Sequence, residues 1–431
     1  MNVSRRRFLQ GSTAVGATLA APAVLGGGEE PDYRIALVGC GWWGGNILHY
    51  AMETGNVEVV GLCDVDRRHL KQKQKQVQEG TGDDPALYGD YRRLLEEQEP
   101  DIVICATPDH WHPLITIAAV EAGAHVYVEK PVSHTIKEGR AMVQAARRND
   151  RKVQVGTHRR VSPHNKWAIK FMKDGKMGEI GMVRIFVHSS GRGWQSAPNQ
   201  EPPEALDWDM WCGPAPKRPF NPKIHPRGFR QFLDYANGTL GDWGIHWTDH
   251  ILWWSDEKHP QTVSSIGGRH LRDDNTTAPD TQTVQWEFDS FSAVWEHRHY
   301  AGNRSEKARL GAYFYGEEGI MHIGWLDGAT FYPRRGNKDP IHKEPQLRGD
   351  DNHNIPGLWA DLVDSIEKDR RPVCDIEVGH LSTNLSLLGM LSLKLGRGIE
   401  WDGEREFCVD DAEANQLLRR EYRDPWEYPE V

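Results

Sequence analysis

The sequence predicts an α/β protein, with a doubly wound parallel sheet near the N-terminus and a second, sheet-rich domain behind it. Three observations carry that reading. RIALVG at 34–39 is a buried-strand pattern that runs straight into Gly39, Gly41 and Gly44, spaced G-x-G-x-x-G. Apolar runs then alternate with helix-compatible runs as far as residue 155. Further on, TVQWEF, FSAVWEHRH and GAYFYGEEGIMHIGW have the alternation of half-buried strands joined by turns.

The glycine motif opens a β-α-β unit. Its second strand, VEVVGLCD, ends in Asp64, twenty residues after Gly44. Gly39 permits the tight turn, Gly41 lets backbone N–H groups approach a pyrophosphate, and Gly44 lets the helix pack close with its positive end toward the phosphates. Asp64 is placed to accept from the adenosine ribose hydroxyls and to repel a 2′-phosphate, which favours NAD over NADP. Trp42 and Trp43, at the x positions, either shield the bound cofactor or pack between domains. DIVICA, HVYVEK and KVQVG continue the parallel sheet, with PLITIAAVEAG and TIKEGRAMVQAARRN as helices between them. A dinucleotide-binding domain is expected over 31–155, and a substrate-binding domain over 156–431.

Composition narrows the partners. A chain of 431 residues suffices for two ordinary cores. A net charge of −10 leaves no basic footprint for nucleic acid. The densest basic stretch, KQKQKQ at 71–76, alternates with glutamine and is expected to be a solvated helix face. No apolar run has membrane-spanning length. Six scattered cysteines show neither C-x-x-C nor metal-ligand spacing, and Cys40, Cys63 and Cys105 are expected to be small buried core residues. The 17 tryptophans give weight to a carbohydrate substrate, whose apolar ring faces stack on indoles.

ATPDHWH at 106–112, AGAHVYVEKP at 122–131 and GTLGDWGIHWTDH at 238–250 resemble the Gfo/Idh/MocA oxidoreductases. The likeness extends over nearly all of the chain behind the N-terminal segment, including the ending RPVCDIEVGHLSTNLSLLGMLSLKLGRGIEWD. It implies a Rossmann domain followed by an α/β domain on a large, mostly antiparallel sheet, which often forms the interface of a homo-oligomer. Two helices, at about 355–368 and 378–396, are expected to close that sheet. In Glu129-Lys130-Pro131 the resemblance puts Lys130 beside the nicotinamide, bonded to the reacting oxygen, with Glu129 orienting it and a possible cis bond before Pro131. An ammonium there stabilises negative charge developing on oxygen.

Asp242, His246 and His250 are spaced i, i+4, i+8, so on one helix they share a face. A metal chelate, a structural network and a catalytic pattern compete for them. The resemblance matches D-x-x-x-H-x-x-D to sugar and inositol dehydrogenases and implies no metal. His246 is then the general base, Asp242 a contact to sugar hydroxyls, and Asp249 and His250 supports. It also puts Thr107, Pro108, His110 and His112 over the nicotinamide half. Tyr235, His158, Arg159, Trp194, Arg227 and Arg230 are candidate sugar contacts, with core packing the alternative for Tyr235.

Residues 4–10, SRRRFLQ, resemble a twin-arginine export signal. An alanine-rich stretch and Ala21-Pro22-Ala23, a small-x-small cleavage pattern, follow it. Residues 1–30 are thus expected to be a signal peptide and linker, and the mature protein periplasmic or otherwise exported. That route moves folded proteins, so the cofactor is loaded before export. Outside the cytoplasm no nicotinamide pool exists for exchange, which favours a redox-neutral cycle on a tightly held cofactor. Glycoside cleavage through a keto intermediate is the favoured reaction. A sugar or inositol dehydrogenase with net oxidation, and a sugar–sugar transhydrogenase, are the alternatives.

Overall fold

The computed structural model describes residues 31–189, 195–304, 306–334, 338–347 and 353–430. Residues 1–30, expected to be an export signal and linker, and Trp194 lie outside the described residues. Strands β1 (Tyr33–Val38), β2 (Val57–Cys63), β3 (Ala86–Tyr88), β4 (Ile102–Cys105), β5 (His125–Val128) and β6 (Val153–Val155) form one parallel sheet, ordered β3-β2-β1-β4-β5-β6. Its central strands are continuous apolar runs because helices cover both faces. Strand order reverses between β1 and β4. The loops after those two strands therefore part at the carboxyl edge and leave a crevice there.

The second sheet, among the described residues, has ten strands and is antiparallel except for one pair. Its members are β7 (Ile180–His188), β8 (Thr262–Gly268), β9 (Thr281–Glu287), β10 (Ser292–Arg298), β11 (Leu310–Gly316), β12 (Gly319–Ile323), β13 (Ala329–Pro333), β14 (Ile341–Lys343), β15 (Ile399–Asp402) and β16 (Phe407–Cys408). The order is β14-β13-β12-β11-β7-β10-β9-β8-β15-β16, with β7 and β10 parallel. Every second residue of β9 and β10 points into a core shared with Trp247 and Ile251 of the helix Ile245–Ser255 and with Leu385, Leu388 and Leu391 of the helix Ile376–Leu395. A Cβ on Gly389 would stand 3.0 Å from Val284, so glycine lets that long helix lie close on the sheet.

One expected helix packs elsewhere. Ile355–Glu367 does not close the second sheet; Ile355, Leu358, Trp359 and Leu362 join the core of the first. Its apolar stripe lies on the helix Trp42–Thr54, and Cys374 and Ile376 follow it into that core. The dinucleotide half is thus completed by residues from late in the chain. All six cysteines are free and buried, as core thiols should be. No helix among the described residues is long and apolar enough to cross a membrane.

Candidate active site

The crevice at the carboxyl edge of the first sheet is a cleft of about 860 Å³, lined by Gly39, Gly41, Asp64, Thr107, Lys130 and Arg230 among others. The three motif glycines have different reasons to be there. Gly39 turns at φ 97°, and a Cβ on it would press to 2.6 Å from the Ala106 carbonyl oxygen. A Cβ on Gly44 would meet the Gly39 oxygen at 2.1 Å. One on Gly41 meets nothing within 4 Å and would project into the cleft. The helix that follows has no acidic side chain in its first turn to compete with a phosphate. Asp64 is fixed by the N–H groups of Cys40 and Asp66, each donating at 2.8 Å. Together these residues fit a dinucleotide: an open turn, a bare helix N-terminus and a rigid carboxylate at the end of β2.

The basic stretch at 71–76 is mostly a solvated helix face as expected, with Lys73 the exception. Lys73 is only 9 % exposed and lines the cleft. Its Nζ occupies the space beside Gly45, where a Cβ would come within 2.0 Å. The helix Arg67–Gly80 turns Leu70 and Val77 into the core, and Lys73, at i+3 between them, lies on that same inward face. Lys73 is the cation that the cleft draws in.

Residues 204–230 cross the cleft from the other side. The backbone of Ala205 and Asp207 pairs with Arg67 and Val65 at 2.9 and 3.0 Å. His225 Nε2 reaches Asp66 at 3.3 Å, and the Arg227 guanidinium lies 4.6 Å over the Trp42 ring. Trp42, 59 % exposed, therefore meets this strap, whereas Trp43 turns inward to bond Glu129 and to pack edge-on against His353. Among the described residues Asp66, His69 and His225 approach as a metal trio would. Arg68, bonded to both oxygens of Asp66, already neutralises that carboxylate.

At the inner end of the cleft Lys130 Nζ donates to Asp242 Oδ1 at 2.8 Å and to the Asp242 carbonyl at 2.9 Å. The Lys130–Pro131 bond is cis. Arg230 Nε also reaches Asp242 Oδ1, at 3.2 Å. Burial alone would push the Asp242 carboxyl up, but the Lys130 and Arg230 charges outweigh it and hold it below the usual carboxylate range. Glu129 backs the lysine. It accepts from the Tyr127 hydroxyl and the Lys130 N–H, and it lies where a Cβ on Gly156 would collide at 2.3 Å. Burial raises its carboxyl, against the pull of Lys130.

Asp242 does not share an α-helix with His246. It sits in a wide π turn, Leu240–Gly244, and the α-helix begins at Ile245. The extra residue in that turn rotates Asp242 out of the His246 stripe, a common device where a helix carries a site. His246 is buried, its Nδ1 has no partner among the described residues, and its ring packs against His158 and Trp325 with centroids 5.1 and 4.9 Å away. Burial, reinforced by Lys130 and Arg159, pushes its pKa well below the usual histidine value, so the ring is neutral. His250 spends its Nδ1–H on the His246 carbonyl at 2.6 Å, and Asp249 is locked by Arg160 and Ser382. These two are supports.

Other expected contacts take up internal positions. Tyr235 is fully buried, with its hydroxyl donated to the Pro216 carbonyl, and belongs to an aromatic cluster with Trp208 and Trp211. His112 is not among the residues lining this cleft; its ring nitrogens lie 2.8 and 2.9 Å from the Pro131 and Thr107 carbonyls and brace the two loops. His110 does the same with the Trp211 carbonyl. Arg159 is buried over the Trp325 ring, 3.5 Å from its centroid, and bonds the Trp325 carbonyl. Thr107 and Pro108 do line the cleft. Trp325, His353, Lys73 and Asp109 are additions to the sequence reading. Asp109 lies inside ATPDHWH, whose histidines drew attention from it; Trp325 and His353 had no motif.

The first half matches the model of an oxidoreductase family's NAD-binding Rossmann fold over residues 33–157, and the second matches that family's C-terminal alpha/beta domain over 181–322 and 349–428. Such a pairing, with a lysine at the inner end of the nucleotide cleft, is that of a two-domain nicotinamide-dependent oxidoreductase. The chain belongs to the Gfo/Idh/MocA family. Curated relatives include glycosyl hydrolase family 109 protein 2 of Shewanella sp. (strain ANA-3), 29% identical over 153 residues, which cover 35% of this chain and 34% of the relative. Glycosyl hydrolase family 109 protein 1 of Akkermansia muciniphila is 32% identical over 26% of this chain and 25% of its own. These matches thus span about a third of one relative and a quarter of the other. Among solved structures, levoglucosan dehydrogenase with NADH and levoglucosan superposes with TM-score 0.67 at 17% identity, over 85% of this chain and 98% of that one. The aldose–aldose oxidoreductase of Caulobacter crescentus, complexed with glycerol, gives TM-score 0.65 at 20% identity, over 85% and 99%.

Proposed function

We propose that the protein is an exported, NAD-dependent enzyme that cleaves a glycoside through a transient ketone without net redox change. The observation that carries this is the Lys130–Asp242 pair, 2.8 Å apart at the inner end of the dinucleotide cleft. The similarity to glycosyl hydrolase family 109 proteins supports the glycoside, and the strap over the cleft supports a nucleotide that stays bound. NAD is preferred over NADP because the fixed Asp64 carboxylate repels a 2′-phosphate.

Bound NAD supplies the acceptor and later the donor of the electron pair at one sugar carbon. The chain supplies the rest. Lys130 stabilises negative charge on the oxygen attached to that carbon, and Asp242 aims the ammonium and accepts from neighbouring hydroxyls. Neutral His246 takes the hydroxyl proton through a ring nitrogen. The ketone acidifies the adjacent C–H, whose loss expels the glycosidic oxygen from the next carbon; water then enters at the carbon that lost that oxygen.

In deuterated water the released sugar should carry deuterium at the carbon beside the transient ketone, with no accumulation of NADH. Unlabelled product together with stoichiometric NADH would instead establish a sugar dehydrogenase. Cell fractionation checks the export reading, which requires the mature chain outside the cytoplasm, and sedimentation checks the proposed homo-oligomer.

A further inference from the structure

The inner end of the cleft gathers two cations, Lys130 and Arg230, and three carboxyls, Asp242, Glu129 and Asp109, which act on one another electrostatically. Asp242 takes both cations. Glu129 takes donors from Tyr127, Lys130 and Trp43. Among the described residues, the Asp109 carboxyl has its own backbone N–H as its hydrogen-bond donor. It stands on the turn Asp109–Trp111 after β4, lines the cleft, and is 4 % exposed. Three buried carboxyls facing two cations favour one proton among them, and the least-bonded carboxyl is the one to hold it.

The titratable groups nearest this cluster are otherwise engaged. His246 and His158 are neutral through burial, and Lys130 and Arg230 are committed to Asp242. Burial, helped by the Asp242 charge and opposed by Arg230 and Lys130, lifts Asp109 to about 7. We propose that Asp109 is the acid that protonates the departing glycosidic oxygen and the base that receives a proton from the water replacing it. This rests on the glycosidase reading above.

The step balances. A site base removes the proton on the carbon beside the ketone, and the electron pair left behind forms a carbon–carbon double bond. The glycosidic C–O bond breaks with its electrons on oxygen, and that oxygen takes the Asp109 proton. Water then adds its oxygen to the same carbon, one water proton passes to the Asp109 carboxylate, and the first carbon regains a proton. The net change is one water across the glycosidic bond.

Matched methyl and p-nitrophenyl glycosides of common hexoses and N-acetylhexosamines test this with wild-type protein and Asp109→Asn. p-Nitrophenolate leaves without an acid, whereas methoxide does not. The variant should lose about a hundredfold or more in kcat on the methyl series and less than about tenfold on the p-nitrophenyl series. Equal losses on both would overturn the assignment. A wild-type enzyme that cleaves neither series removes the glycosidase reading and the Asp109 role with it. Infrared difference titration of wild type against Asp109→Asn adds a readout free of substrate. A carboxyl band lost with a midpoint near 7 supports the assignment, and a midpoint below about 5 contradicts it.

Discussion

Lys130 and Asp242 come from loops 112 residues apart in sequence, yet they are bonded to each other. Removing Asp242 strips Lys130 of its carboxylate, whereas removing Lys130 leaves Asp242 with Arg230, so the two should not fail alike. Lys130→Ala should cost about a thousandfold in turnover through lost charge stabilisation while sparing NAD affinity. Asp242→Asn keeps shape and releases the lysine, and a smaller loss, mainly in kcat, is expected from steady-state kinetics. Asp109 links activity to stability. Its folded-state pKa of about 7 lies above the 3.8 of an ordinary aspartate, so the folded protein binds the extra proton between those values. Stability from this group is therefore complete below 3.8 and is lost as pH rises to 7. Asp109→Asn should accordingly melt higher than wild type above neutrality and no higher near pH 4 in calorimetry, while turning over more slowly. Lys130, Glu129 and Asp242 were legible from motifs. Asp109 was legible only as a neighbour of histidines, because what distinguishes it is a charge balance assembled from four separate elements.

The glycine turn, the strap and the π turn each do one job for the site. Gly41→Ala should fold normally, since its Cβ meets nothing, but bind NAD more weakly in calorimetric titration. Gly44→Ala should destabilise the fold itself, because its Cβ would strike the Gly39 carbonyl at 2.1 Å. Arg227→Ala removes the cation over Trp42 and should speed NAD dissociation by about fivefold, read by stopped-flow fluorescence. The βαβ unit was legible because its strands are apolar runs and its glycines have fixed spacing. The strap was not, since its contacts are backbone pairs and a cation–ring contact that leave no periodic trace. The π turn escaped for a related reason: i, i+4 counting assumes 3.6 residues per turn, and Leu240–Gly244 breaks that count just ahead of His246.

Across the whole molecule, burial keeps many histidines neutral. His110, His134, His158 and His246 lie well below the usual value, and His125, His164 and His250 fall to about 4. The unfolded chain binds protons that the folded chain refuses between 4 and 6.5, so stability should climb with pH across that window. A melting series with no such rise would contradict the neutral-histidine picture. A parallel sheet in the first half and a strand-rich second half were legible in the pattern of runs, but the order of the ten strands and the parallel β7–β10 pair were not. The return of Ile355–Glu367 to the first core was not, because an amphipathic helix does not say which apolar face it covers. That return ties the C-terminal part to the helix of the glycine motif.

Retention of the nucleotide is most directly read by isotope. Purified protein carrying its own NAD is supplied with labelled NAD and allowed to turn over glycoside many times. The account predicts one nucleotide per chain, still unlabelled after on the order of a hundred turnovers. Label entering at the pace of turnover, or protein that purifies without nucleotide, would contradict it.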